Sequence, residues 1–463
     1  MEGAKAYTSS PPDSADKEPA LKTASKALAN EAQTVPNGGA TAWLQVLGTF
    51  FVFFNTWGIL NTFGAYQTYY ETGKLYTASS SNISWIGSVQ SSLLLLLGLA
   101  TGPLYDAGYF RTLLYSGSFL ILLGQMMTSL CHEYYQALLA QGFCIGIGVG
   151  LIFIPGVAIL STYFSSKLAL ANGIAAAGSG LVLRTKWSIA DTLSSAGGIL
   201  YPIIFHKLCS KIGFGWTVRA IGLVIFLTLL IPLSAFRVRL IPSSKRKPID
   251  LPAFKEPAYV FFVMGGLLTF ISLNIPFFYI QSYGQEKGIP ADGMGFYLLS
   301  IITTGSVFGR IFPNFFANQV GPFNIISLCT IVCGALMFAL VNLSSLAGMV
   351  VVSLLYGFFS GAFVSLPPTC FVHLSPDRSL IGTRMGMGYA TMTIGNLIGT
   401  PVAGAILQSK GFNSMWIFGG IMSIAGGLTM MVSRNIQGGG NHLRGCKISG
   451  HCYGIQYFDM SIM

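Results

Sequence analysis

Apolar residues in this chain come in blocks about twenty long with almost no charge inside them, and that pattern constrains its fold more than any other feature. At a rise of 1.5 Å per residue, about twenty residues of helix cross the hydrocarbon core of a bilayer. Only 9% of the 463 residues are Asp, Glu, Lys or Arg, while 52% are hydrophobic; an ordinary soluble domain carries roughly 25% charge. So few charges cannot cover a soluble surface. The chain therefore reads as an all-α membrane protein, with the lipid bilayer as its solvent.

Twelve transmembrane helices are expected, at about 43–64, 83–104, 111–130, 135–160, 168–205 (interrupted), 216–236, 257–281, 294–316, 322–342, 345–373, 385–407 and 413–433. Residues 1–42 are rich in Ser, Ala, Lys, Glu and Pro and read as a disordered tail. A polar stretch, 237–256, holds Arg237, Arg239, Lys245, Arg246, Lys247 and Lys255 and divides the chain into two six-helix halves, 43–236 and 257–433. Residues 434–463 form a Gly-rich, Cys-containing tail without a clear helix.

The net charge of +11 comes without a basic stripe or nucleic-acid motif, so no nucleic-acid partner is expected. The positive residues fall mostly in the tails and even-numbered loops, which puts both termini in the cytosol by the positive-inside bias. The sequons at Asn82 and Asn342 then lie outside, too near helix ends to be good glycosylation sites. Eight cysteines lack metal-ligand pairing, and there is no Walker loop or paired nucleophile. No cofactor, metal or catalytic residue is expected.

Among the 56 glycines, Gly142, Gly146 and Gly150, and likewise Gly395 and Gly399, recur every fourth residue and line single helix faces. Static packing and sliding surfaces both fit that pattern.

The loop after the second span runs from Gly102 through Asp106 and Gly108 to Arg111. Its glycines allow a tight turn, and Asp106 can cap a helix or pair with Arg111. Its second-half counterpart runs from Gly309 and Arg310 through Asn318 to Gly321. At the fifth span stand Tyr163, Phe164, Lys167, Leu168, Ala169, Ala171, Asn172, Gly173, Ala175, Ala177, Gly178 and Ser179, while Gly38, Gly39 and Trp43 precede the first. These motifs resemble the major facilitator superfamily, and within it the fungal branch of the monocarboxylate transporters. The resemblance runs from about residue 37 to 433. It implies two halves that rock about a midplane site, a loop of Gly102, Asp106, Gly108 and Arg111 acting as a conformational latch, and no enzymatic activity.

One segment departs from the family pattern. Residues 182–196, with Arg184, Lys186 and Asp191, interrupt the fifth span, and their removal restores one apolar helix. They read as a translated in-frame intron or as a genuine extramembrane insertion.

An ionisable residue within a span is by default a functional hypothesis. Arg310, flanked by Phe308, Gly309, Ile311 and Phe312, resembles the arginine with which monocarboxylate transporters bind the substrate carboxylate. Its guanidinium stays charged and forks onto two oxygens; a structural role at the helix end is the alternative. Ser306 and Asn61 stand where animal members carry an acid and a lysine. That departure puts in doubt the proton (H+) that the family pairs with its solute. Asn55, Asn61, Asn274, Tyr279 and Asn396 are further candidates to hydrogen-bond a solute, or to bond helix to helix. The expectation is a secondary transporter of a small carboxylate in the plasma membrane, or alternatively a vacuolar one. An exporter of a secondary metabolite, a non-transporting sensor and an inactive splice product are the competing readings.

Overall fold

The computed structural model describes residues 38–164, 197–239, 250–289, 294–376 and 380–444, together with Ala171 and Ala175. The segment 182–196 lies outside the described residues. Within them the chain is helical: α1 (Ala40–Glu71), α2 (Ser80–Asp106), α3 (Phe110–Thr128), α4 (Tyr134–Ala158), α5 (Gly197–Ala235), α6 (Pro257–Leu273), α7 (Ile275–Glu286), α8 (Met294–Val320), α9 (Pro322–Leu340), α10 (Leu346–Ser365), α11 (Pro367–Leu374) and α12 (Ile381–Arg444). In lipid every backbone polar group must be satisfied internally, which leaves helix as the only open form for such apolar runs. Among the described residues, eight stretches are long and apolar enough to cross a membrane, two of them formed by α6 with α7 and by α10 with α11. Both junctions carry a proline in the first turn of the second helix, where its missing N–H would have had no partner anyway.

Several boundaries differ from expectation for local reasons. Helix α1 runs two turns beyond residue 64, because Gln67 and Thr68 find partners on neighbouring helices. Helix α12 continues past Arg434 to Arg444. The connector's end is not simply solvated: 251–255 form a 3₁₀ turn, and Asp250 and Glu256 are fixed to Arg384.

Helices α5 and α12 are each two helices divided by a glycine at positive φ, Gly213 (φ 79°) and Gly411 (φ 78°). Two more such pairs recur at matching places. Gly73 and Gly288 follow α1 and α7, and Gly108 (φ 91°) and Gly321 (φ 92°) precede α3 and α9. A side chain is strained at these angles, so the turns mark equivalent points of two structural repeats. Gly108 and Gly213 lie 105 residues apart and Gly321 and Gly411 lie 90 apart, a difference of 15. The span 182–196 has that length.

Gly142, Gly146 and Gly150 press α4 onto Ile86, Gln90 and Leu93 of α2, while Gly395 and Gly399 press α12 onto Leu267 and Ile271 of α6. Each set packs helices of one half. The core is correspondingly lopsided. One cluster joins both halves through residues such as Phe63, Phe278, Tyr279 and Ile302, near the end of the bundle that holds Glu71 and Ser80. A second, built on Tyr259, Phe262, Phe371 and Met392, belongs largely to the second half, toward the opposite end that holds Asp250 and Arg384.

Candidate substrate site

Helix α8 is seated by glycines. Gly305 and Gly309 face the backbone of Leu354 and Phe358 on α10, and Gly357 and Gly361 face that of Ile302 and Ser306, so a side chain at any of the four would overlap a carbonyl. That close approach fixes the rotation of α8. Arg310 then reaches across to the first half, where its guanidinium lies over the indole of Trp57 on α1, 5.0 Å from the ring centroid. By helix rise Arg310 is about 24 Å from the start of α8 and Trp57 about 21 Å from the end of α1. Both therefore lie near the middle of their helices.

Trp57 meets Phe153 of α4 edge-on at 6.0 Å, and Phe153 meets Phe53 at 5.3 Å. The indole Nε1 of Trp57 is buried and has no hydrogen-bond partner. One turn along α1, Asn61 and Thr303 of α8 both pack against Gly198 of α5. Of the candidates read from the sequence, Asn61 and Arg310 thus share the α1–α8 side of the interface.

The remaining candidates are engaged elsewhere. Asn55 is fully buried inside the first half, accepting from Tyr201 (2.8 Å) and Thr228 (3.0 Å) and donating to the Phe51 carbonyl. Tyr279 shares a short hydrogen bond with Ser84 and donates at 3.3 Å to the Thr400 carbonyl. Asn274 donates to Asn396 (2.7 Å), which donates in turn to Ser91 (2.9 Å) and Ser92 (3.1 Å) of α2. Tyr279 and Asn396 stitch the halves together, whereas Asn55 bonds within the first half and Asn274 within the second. In the latch loop, Gly108 makes the positive-φ turn, Asp106 ends α2, Arg111 is exposed, and Gly102 has open space beside it.

The described hydrogen bonds between the halves form one seam. It starts at the rim, where Ser282 donates to the Glu71 carboxylate (2.6 Å) and Thr68 reaches Gln281 and Ser282. Ser81 donates to the Pro401 carbonyl (2.8 Å), Ser88 pairs with Thr400, and the series ends at Asn396. All of it lies between the Glu71 face and mid-depth. The Glu71 face is therefore closed.

Two features escaped the sequence reading. Glu71 closes the rim, although it reads as an ordinary charge at a helix end. Arg384, 2% exposed, donates through Nε to Asp250 (2.7 Å), through Nη1 and Nη2 to both Glu256 oxygens (2.7 and 2.6 Å), and through Nη1 to the Leu374 carbonyl. It ties the starts of α6 and α12 to the end of α11. An apolar groove of about 410 Å³ among Trp85, Val89, Leu93, Tyr134, Leu138 and Leu397 does not include Arg310.

A family model described as Major Facilitator Superfamily matches residues 46–379. The chain belongs to the major facilitator superfamily. MFS-type transporter dbaD of Emericella nidulans is 46% identical over 400 residues, covering 86% of this chain and 87% of that protein. Aspyridones efflux protein apdF of the same organism is 35% identical over 436 residues, covering 94% and 84%. Among solved structures, the peptide transporter POT superposes with a TM-score of 0.67 at 12% identity, over 88% of this chain and 98% of that one, a likeness of fold. This superfamily member is a multi-pass membrane transporter of small molecules, and its relatives are named as transporters rather than enzymes.

Proposed function

We propose that this transporter exports a small acidic secondary metabolite by alternating access, its two six-helix halves rocking about the Trp57–Arg310 level. Twelve spans follow if α5 and α12 each count as two and the fifth begins around Ala171 and Ala175, both of them helical. With both termini cytosolic, the Glu71 face is the outer one, and the conformation described is inward-facing. The plasma membrane is the membrane an exporter needs.

The observation that carries the reading is Arg310 itself. A guanidinium held between the two halves, beyond the end of the hydrogen-bonded seam, suits an anion that enters from the cytosolic side. Holding a charge there costs a few kcal/mol on insertion scales, which a substrate role would justify. For direction, the printed name of apdF, an efflux protein, favours export over the uptake of a nutrient monocarboxylate.

Proteoliposomes loaded with labelled organic acids test this. Efflux faster than from empty-protein vesicles is expected, and Arg310→Ala should abolish it while leaving the protein monodisperse. Undiminished acid transport by that variant would sink the assignment of Arg310, and strictly inward transport would sink the direction.

A further inference from the structure

Every polar group that Trp57 and Arg310 present is a donor. A guanidinium offers N–H bonds only, and an indole offers one N–H and no acceptor. The Trp57 Nε1–H is buried without a partner, a state that native structures seldom leave unexplained. The missing acceptor lies beside a cation and against a ring system, since the guanidinium lies over the indole and the indole adjoins Phe153, which in turn meets Phe53. Guanidinium groups also stack on flat π systems while they fork onto oxygens.

We infer that the Trp57–Arg310 pair selects a planar aromatic oxyanion, a ring bearing an acidic oxygen, over an aliphatic acid of the same charge. This rests on the export reading above and narrows its substrate. The oxyanion supplies acceptors to both the guanidinium and the indole N–H. The ring extends the existing layers of guanidinium, indole and phenyl, in which aromatic groups meet at offset or edge-on geometry. A bent aliphatic chain satisfies the donors but leaves the faces unfilled. A cationic amine fails on both counts.

Calorimetric titration of the full chain in lipid nanodiscs tests the selection, with 2-naphthoate, cyclohexanecarboxylate and naphthalene-2-methanol as probes. The expected result is 2-naphthoate binding at least tenfold tighter than cyclohexanecarboxylate, with no measurable binding of the neutral alcohol. Trp57→Leu loses the ring together with the N–H, and should erase that ratio while weakening cyclohexanecarboxylate only severalfold, as in Trp57→Phe. Trp57→Phe keeps a ring but loses the N–H, and should weaken both acids severalfold with the ratio largely kept. Arg310→Gln should abolish both.

A ratio near one in the unaltered protein, a ratio that survives Trp57→Leu, or no binding of either acid overturns the inference. Should Trp57→Leu not fold, the unaltered protein and Trp57→Phe still decide it. Proteoliposome efflux keeps the two readings apart. Efflux of acids with a ratio near one removes the aromatic preference alone, whereas selective binding without outward transport removes export alone.

Discussion

Opening of the closed face must break the seam between the halves, so weakening the seam should shift the conformational equilibrium by a calculable amount. Tyr279→Phe removes the hydroxyl that joins α7 to Ser84 on α2 and, at 3.4 Å, to the Ser80 carbonyl. Ser84 keeps its own bond to Ser80 at 2.7 Å, so no buried hydroxyl is stranded. The net loss is that of one buried hydrogen bond, about 1 kcal/mol, or roughly fivefold in the ratio of open to closed molecules. Ser282→Ala removes the donor to Glu71, a charge-assisted bond weakened by its position at the rim, for about another 1 kcal/mol. The two changes share no partner, so the double variant should approach about twenty-five-fold if they add. Spin labels at the exposed positions Lys74 and Lys287, in a chain whose own cysteines are replaced, report the distance across this face by pulsed dipolar spectroscopy. A longer-distance population should grow in that order. If all three variants keep the parent distribution while remaining folded, the seam is not what holds this face shut.

Three further outcomes are expected. Arg384→Gln strands Asp250, whose side chain is 12% exposed, and Glu256, which is 46% exposed. Breaking a fully buried pair costs about 3–5 kcal/mol, and the exposure of Glu256 reduces this to about 2–3, seen as a lower thermal midpoint in detergent; an unchanged midpoint would contradict the clamp. Asn55→Ala leaves Tyr201 short of an acceptor, while Thr228 keeps the Val224 carbonyl at 2.8 Å, and should lower stability by about 1–2 kcal/mol, yet leave acid affinity intact in the same binding titration; lost affinity at full stability would return Asn55 to the solute site. A chain lacking 182–196 should yield more inserted, monodisperse protein than the full chain, because Arg184, Lys186 and Asp191 each cost a few kcal/mol inside a span. Equal yields, or a predominant transcript that retains the segment, would count it as part of the working protein.

The helical plan was legible because lipid imposes it: an apolar run with its backbone satisfied has only one open form. Arg310 was legible for the same reason, as a charge in the middle of such a run. Its neighbour was not, because Trp57 is one aromatic among 34 Phe, 20 Tyr and 6 Trp, and only the rotation of α8 set by its glycines selects it. Asn55, Tyr279, Asn274 and Asn396 were legible as polar residues in apolar helices, but composition cannot say whether such a group faces a solute or a neighbouring helix. The Arg384 clamp was hidden in a connector whose charges read as solvated, and Asp250 and Glu256 become partners only when α6 and α12 are brought side by side.

The paired glycine turns carry a consequence for the solute. Arg310 lies eleven residues before Gly321, and eleven before the equivalent Gly108 stands Leu97, packed against Gly150 of α4. The repeats match in backbone but differ in charge at this depth. In the proposed cycle, the charge that anchors an anionic solute belongs to the second half, and the indole that meets it belongs to the first. The proposed grip is thereby shared unequally between two copies of one architecture, and a substitution near Leu97 is expected to alter the rocking of the halves without removing the anchoring charge.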